Sequence, residues 1–406
     1  MVATPKRAFP TDRAEKRRVL LDAVDSIRDV LAAHADDAEE LRTLAPAAVE
    51  AFMQSGLWCL KLPAELGGAE ADPVTQLEVI EAVTKIDTSA GWATMIGATS
   101  VGWPGAYLPD SAVEMIFKDG HVPPIAGIGG VSGTAEAVEG GYKLTGRFAF
   151  GSGAPHAEWL IAGAPVQGVE GEPPELRTFV FPAEQATIHF ESWFVAGLKG
   201  TGSCDFSTDA LFVPEDFSWD RGIMSRGEPV RGGAIFHLGM PAFTANEHAA
   251  FALGGARRAL ELIIELAQAK KRGQASTLIA SRAVFQHWVG EADLKLRAAR
   301  SRMCEVLEEA YAVASTGVVP DGRLQAEVRA SSVYAADVAV EVTNQAFRFA
   351  GGGALQSSGL LQRYWRDVLA SCQHGAVNDA GYEAHGQYLL GMTPDVPMAA
   401  PPTTVR

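Results

Sequence analysis

Residues 196–215, Ala196-Gly-Leu-Lys-Gly-Thr-Gly-Ser-Cys-Asp205-Phe-Ser-Thr-Asp-Ala210-Leu-Phe-Val-Pro-Glu215, decide how the rest of the chain divides. Gly197, Gly200 and Gly202 punctuate a short polar loop, and the run Ala210-Leu-Phe-Val-Pro after it has strand character bounded by a turn residue. Working outward, Tyr142-Lys-Leu-Thr, Trp159-Leu-Ile-Ala-Gly-Ala and Thr178-Phe-Val-Phe are further strand-like runs, set among frequent Gly and Pro from about 121 to 230. Before this region the texture is helical: Leu20, Leu21, Val24, Ile27 and Leu31 recur at three- and four-residue steps. Leu108-Pro-Asp-Ser reads as a helix start with Asp110 or Ser111 as N-cap. After it, long helical segments are expected over Ala249 to Lys271, Ser276 to Ala314 and Gly322 to Phe349, with a disordered Pro-rich tail from Met392 to Arg406. The expected fold class is therefore α+β: an N-terminal helical domain over 1–120, a central β domain over 121–230 and a C-terminal four-helix bundle domain over 231–406. A ligand belongs where the three blocks meet.

Composition narrows the function. The 406 residues are 47% apolar and 20% charged, enough for two or three domains with a large buried core. A formal charge of −15 argues against a nucleic-acid partner, whose phosphates demand clustered Lys and Arg; Lys16-Arg17-Arg18 reads as the solvated end of a helix. Cys59, Cys204, Cys304 and Cys372 lie far apart without a C-x-x-C pair, so neither a zinc cluster nor a disulfide framework is indicated, and no histidine pair has metal spacing. The N-terminus lacks the apolar core of a secretory signal, and apolar stretches such as Ala249 to Ala256 are too short to cross a bilayer, so a cytoplasmic protein without a membrane partner is expected.

The loop and strand at 196–215 resemble the β-domain signature of the acyl-CoA dehydrogenase superfamily, and Phe349-Ala-Gly-Gly-Gly-Ala-Leu and Arg363-Tyr-Trp-Arg-Asp resemble its last-helix motifs. Order and spacing agree over nearly the whole chain. The resemblance implies that fold and a flavin; the reaction follows from the departures. Where dehydrogenases carry a Thr-Glu-Pro-type loop, this chain has Ile125-Ala-Gly-Ile-Gly-Gly-Val-Ser-Gly-Thr. The superfamily's two positions for a catalytic glutamate fall on Gly375, with His374 beside it, and near Thr244. Without a carboxylate to remove the α-proton of a thioester, desaturation loses its main proton acceptor.

By contrast, Phe148-Ala-Phe-Gly-Ser-Gly-Ala-Pro-His-Ala-Glu-Trp and Arg366-Asp-Val-Leu-Ala-Ser-Cys-Gln-His resemble the oxygenase components of two-component flavin-dependent monooxygenases, among them the hydroxyphenylacetate and steroid-phenol hydroxylases. That resemblance implies an enzyme using reduced FMN or FAD (FMNH2 or FADH2) and O2 to hydroxylate a small aromatic or heteroaromatic substrate through a flavin hydroperoxide. The reduced flavin comes from a separate flavin reductase, and the oxygenase is a homotetramer. The alternative is an acyl-CoA dehydrogenase-like flavoenzyme with a non-standard base.

The same resemblance assigns candidate residues. Ser152 falls where the family places a serine near the flavin nitrogen, flanked by Phe150, Gly151 and Gly153 as cofactor contacts. His374 coincides with the base position, seven residues after Asp367 and eight after Arg366, so an unbroken helix would carry all three on one face. Gly200, Thr201 and Ser203 form a polar loop whose amides suit the flavin pyrimidine or phosphate. Gly351, Gly352 and Gly353 are expected to reach cofactor in a neighbouring subunit, with Arg272 as a phosphate contact. Trp92, Thr99 and Ser100, with Met240 and Phe243 of the apolar segment Phe236 to Leu253, are the expected substrate contacts. Phenol-hydroxylating relatives carry a histidine near Thr99 and Ser100, and its replacement favours a more neutral substrate. His156 is expected at the domain interface, while Glu247 and His248 receive no role.

Overall fold

The computed structural model describes residues 9–167, 174–271 and 276–396. Helices come first: α1 (Arg13–Ala33), α2 (Ala35–Leu41), α3 (Pro46–Ser55), α4 (Pro73–Ile86), α5 (Thr88–Tyr107) and α6 (Asp110–Ile116). Side chains set their starts. Asp12 accepts from the Glu15 amide at α1, Asp72 from Val74 and Thr75 at α4, and Asp87 from Ala90 at α5. Burial follows the three-four spacing in α1, where Leu20, Val24, Ile27 and Leu31 face inward. Helix α5 is apolar all round and buried except at Ile96 and Gly97, so it runs through the middle of the molecule.

One eight-stranded sheet follows: β1 (Ile125–Val131), β2 (Thr134–Val138), β3 (Gly141–Gly151), β4 (Trp159–Val166), β5 (Glu175–Pro182), β6 (Thr187–His189), β7 (Cys204–Pro214) and β8 (Ser218–Asp220). The order is β6-β7-β3-β2-β4-β5-β8, with β1 alongside β4. Strands β3 and β7 pair antiparallel from Gly141–Pro214 to Gly151–Cys204, which brings the 196–203 loop beside the end of β3. All four strand-like runs read from the sequence fall inside β3, β4, β5 and β7.

After the short α7 (Gly222–Arg226) come α8 (Ala242–Ala269), α9 (Ala283–Ala314), α10 (Gly322–Ala350), α11 (Leu360–Ser371) and α12 (Ala380–Leu389). Helix α10 packs on α8 and α9, and α11 packs on α8, giving the bundle around Leu260, Ile263, Met303, Leu307, Val328 and Val342. No helix among the described residues is long and apolar enough to cross a membrane.

Several expectations are corrected. Asp110 and Ser111 do not cap α6: Pro109 holds the N-cap position, while Asp110 pairs with Arg231 at 2.6 Å and Ser111 donates to Asp216. Helix α8 begins earlier than Ala249, at Ala242, and α9 begins later than Ser276, at Ala283, after a separate 3-10 turn at Ile279–Ser281. The tail is ordered as far as Val396, which is buried in a small cluster with Ala326 and Ala384; residues 397–406 lie outside the described residues.

Candidate active site

The end of β3, the 196–203 loop and α5 meet at Ser152. Its hydroxyl accepts from Trp92 Nε1 at 3.0 Å and lies 2.8 Å from Ser203 Oγ. Ser203 Oγ is 2.7 Å from Thr201 Oγ1, which donates to the Leu198 carbonyl at 2.9 Å. All three hydroxyls are buried. Their glycine neighbours answer to protein packing: a Cβ on Gly151 would lie 2.8 Å from the Phe206 ring, and one on Gly200 would lie 2.6 Å from Ser89 Oγ. Beyond Ser152, a crevice between α5 and the sheet is lined by Trp58, Ile96, Gly97, Pro124 and His156. His156 joins the sheet side to the N-terminal helices, its Nδ1 at 3.1 Å from Thr43 Oγ1 and its ring parallel to Trp58. Burial lowers its pKa to about 4.

Trp92 also meets two imidazoles. His374 and His248 stack with ring centroids 4.3 Å apart, and both stand edge-on to Trp92, at 6.0 and 5.8 Å. Burial pushes the pKa of His374 below the usual histidine value; burial first, then the charges of His374 and Lys61, push His248 well below it. His374 Nδ1 accepts from the Ala376 amide at 3.2 Å, so the neutral ring carries its proton on Nε2. His248 Nδ1 is buried without a hydrogen-bond partner among the described residues.

One expectation about this segment fails. Helix α11 ends at Ser371, and His374 sits in the following turn, its amide bonded to the Ser371 carbonyl. Arg366, Asp367 and His374 therefore share no helix face. Fully buried Asp367 accepts from the Leu198 amide at 2.6 Å and Thr88 Oγ1 at 2.5 Å, while Arg366 binds Glu39 and the Ala196 carbonyl. The Arg-Asp motif thus fastens α11 to the loop beneath Ser152, and His374 is delivered by the turn.

A second buried constellation supports α5 and α8 from below. Lys61 Nζ, fully buried, sits 2.6 Å from Glu247 and 2.7 Å from the Phe243 carbonyl, over the Phe243 ring; Thr99 also donates to Glu247. Burial raises the Glu247 pKa and lowers that of Lys61, each opposed by its partner's charge. Phe243 stacks with Trp103, whose Nε1 is buried without a partner among the described residues, and Met240, three residues before Phe243, is also buried. Ser100, one residue on from Thr99, is also buried.

The structure thus brings Ser152, Thr201, Ser203, Trp92 and His374 together, with Thr99 and Phe243 tied in through Glu247 and Lys61. Phe150 is exposed, at φ 65° beside Trp193, on the same strand end. Gly351–Gly353 lie elsewhere: Lys270, just past α8, holds the Ala350 carbonyl beside them, about 30 Å along that helix from His248 at 1.5 Å per residue. Arg272 lies outside the described residues. Sequence reading missed His248, Lys61 and Glu247; the signal available for Glu247 and His248 was a Glu-His dipeptide in a mostly apolar segment. These residues fit a flavin. Ser152 offers hydrogen bonding at a crevice bordered by aromatic rings, and His248 Nδ1 and Trp103 Nε1 are buried polar atoms that the protein leaves unmatched.

Comparison with known proteins gives the family. The descriptions "Acyl-CoA dehydrogenase, N-terminal domain" and "Acyl-CoA dehydrogenase, C-terminal domain" match residues 14–107 and 247–379, between them more than half of the chain. Indole-3-acetate monooxygenase of Pseudomonas putida is 29% identical over 391 residues, covering 96% of this chain and 97% of that protein. The flavin-dependent monooxygenase oxygenase subunit HsaA of Rhodococcus jostii is 26% identical, covering 92% and 98%. Among solved structures, XiaF from Streptomyces sp. in complex with FADH2 and glycerol superposes with a TM-score of 0.87 at 26% identity, covering 95% and 98%.

Proposed function

The chain belongs to the acyl-CoA dehydrogenase family, and from that premise we infer that it is the oxygenase component of a two-component flavin-dependent monooxygenase that hydroxylates a small aromatic or heteroaromatic substrate. The observation that carries this reading is the convergence on Trp92 of the Ser152 hydroxyl and the stacked His374–His248 pair. Reduced flavin, when bound, supplies the two electrons that let O2 give one oxygen atom to substrate and the other to water. Ser152 would meet a flavin nitrogen, and Thr201 and Ser203 back it. Trp92, Trp103, Phe243 and Met240 form aromatic and apolar walls that exclude water and hold a planar substrate. His374 offers a proton at Nε2, and the unmatched Nδ1 of His248 suits a proton taken from substrate; two positive charges on rings this close would repel, so the pair carries at most one charge. Thr99 is committed to Glu247, which leaves Ser100 as the hydroxyl of that turn for substrate.

The dehydrogenase alternative needs a free carboxylate. Glu247 and Asp367 are buried carboxylates beside the site, and both are held: Glu247 by Lys61 and Thr99, Asp367 by the Leu198 amide and Thr88. Flavin is supplied by a separate reductase, and we infer a homotetramer in which Gly351–Gly353 serve a neighbouring subunit's site. Cys59, Cys204, Cys304 and Cys372 form no disulfide among the described residues, which suits a reducing, cytoplasmic setting. The test is a single turnover: anaerobic protein with reduced flavin and indole-3-acetate or another small aromatic, then 18O2. One labelled oxygen in the product is expected, with no NADH oxidation by the chain alone. Absence of label across a panel of aromatics, together with bleaching of bound oxidised flavin by an acyl-CoA, would overturn the reading.

A further inference from the structure

Resting on that flavin reading, we propose that Thr201 and Ser203 are positioning residues that fix the direction of the Ser152 hydroxyl, so that the site prefers reduced over oxidised flavin. An indole N–H only donates and a peptide carbonyl only accepts, whereas each hydroxyl has one proton and two lone pairs. At one end Trp92 Nε1 donates to Ser152 at 3.0 Å; at the other Thr201 donates to the Leu198 carbonyl at 2.9 Å. With Thr201's proton spent, the 2.7 Å contact to Ser203 is donated by Ser203. With Ser203's proton spent, the 2.8 Å contact to Ser152 is donated by Ser152. Ser152 then accepts from Trp92, donates to Ser203 and keeps one lone pair. Any ligand atom that meets it must be a donor.

The central ring nitrogen of a reduced flavin bears a hydrogen, and that of an oxidised flavin bears a lone pair. Reduced flavin completes the chain as it stands. Oxidised flavin requires every hydroxyl to turn round, which forfeits the Thr201–Leu198 bond with nothing in its place. One neutral hydrogen bond of difference corresponds to about 2- to 13-fold in the ratio of dissociation constants. The anchor is rigid, because the Leu198 amide is held by buried Asp367 at 2.6 Å and its carbonyl also accepts the Thr201 amide at 3.2 Å.

Thr201→Val removes the anchoring hydroxyl at nearly constant volume, and both chain directions then make equally many bonds. Thr201→Ser keeps the hydroxyl, and Ser203→Ala cuts the chain one link nearer Ser152. Dissociation constants for FMN and FAD, each oxidised and anaerobically reduced, are measured by fluorescence titration on the four proteins. The expected result is a preference for reduced flavin that falls about 2- to 13-fold in Thr201→Val and Ser203→Ala and is retained in Thr201→Ser. Wild type that binds flavin with the same preference as both chain-breaking variants would overturn the positioning role alone. Wild type that binds neither redox form would remove the flavin reading and this inference with it.

Discussion

Ser152 and His374 both contact the Trp92 indole, and their proposed tasks separate in the kinetics. Ser152→Ala would remove the proposed hydrogen bond to the flavin nitrogen and leave the Trp92 N–H without its Ser152 acceptor. A bond of this neutral kind is worth about 0.5–1.5 kcal/mol, so peroxide released per product formed should rise by roughly 2- to 13-fold. An unchanged ratio in a peroxide assay would mark Ser152 as a packing residue. His374→Ala should lower product formation by about 10²–10⁴-fold while the flavin dissociation constant stays as in wild type. Burial lowers the pKa of both imidazoles, so the neutral pair persists into acid and the acid limb of kcat should lie below pH 6.5. A limb above that value would contradict the buried pair. Ser152 and His374 were legible because each sits in a local motif. His248 was not, because its partner arrives from a distant turn and only stacking makes the pair.

At the scale of elements, Lys61 links the 3-10 turn Leu57–Leu60 to α5 and α8 through Glu247, Thr99 and the Phe243 carbonyl. Lys61→Met should destabilise the protein by about 3–5 kcal/mol, because Glu247 is left as an uncompensated buried charge. Lys61→Met with Glu247→Leu should recover most of that loss, since it is the lone charge, more than the missing pair, that is expensive. Urea midpoints at constant m-value measure both; a double variant as unstable as the single one would show that the pair holds the helices by geometry. The sequence marked Glu247 only as unusual. Its partner lies on an element whose approach to α8 is set by how α5 is buried, which no local pattern encodes. Helix α11 teaches the same lesson in reverse: the Arg-Asp motif was visible, but a helical extrapolation through His374 failed because the helix stops at Ser371.

Across the whole molecule, acid should loosen the seam between the sheet and the N-terminal helices before it unfolds either. His156 has its folded pKa lowered to about 4, below the unfolded value near 6.5. Between those values the unfolded chain binds more protons, so this residue's contribution is present above pH 6.5 and is lost as pH falls toward 4. At pH 5 the loss is on the order of 2 kcal/mol. His156→Gln should therefore show a shallower fall in urea midpoint between pH 8 and pH 5 than wild type. Equal slopes would place the acid sensitivity elsewhere.

The amino-acid sequence by itself determined the order of helical, strand and helical regions, since hydrophobic periodicity and glycine punctuation act over a few residues. Its motifs also pointed to flavin, to Ser152 and to His374. Tertiary structure alone decided that Trp92 joins those two residues, that His248 completes the imidazole pair, that Asp367 anchors the loop beneath Ser152, and that Lys61 neutralises Glu247. Each of these is a contact between segments far apart in the chain. Burial is what gives them meaning: it strips water from polar groups, so the partner each one finds fixes its charge, its tautomer and the direction of its proton.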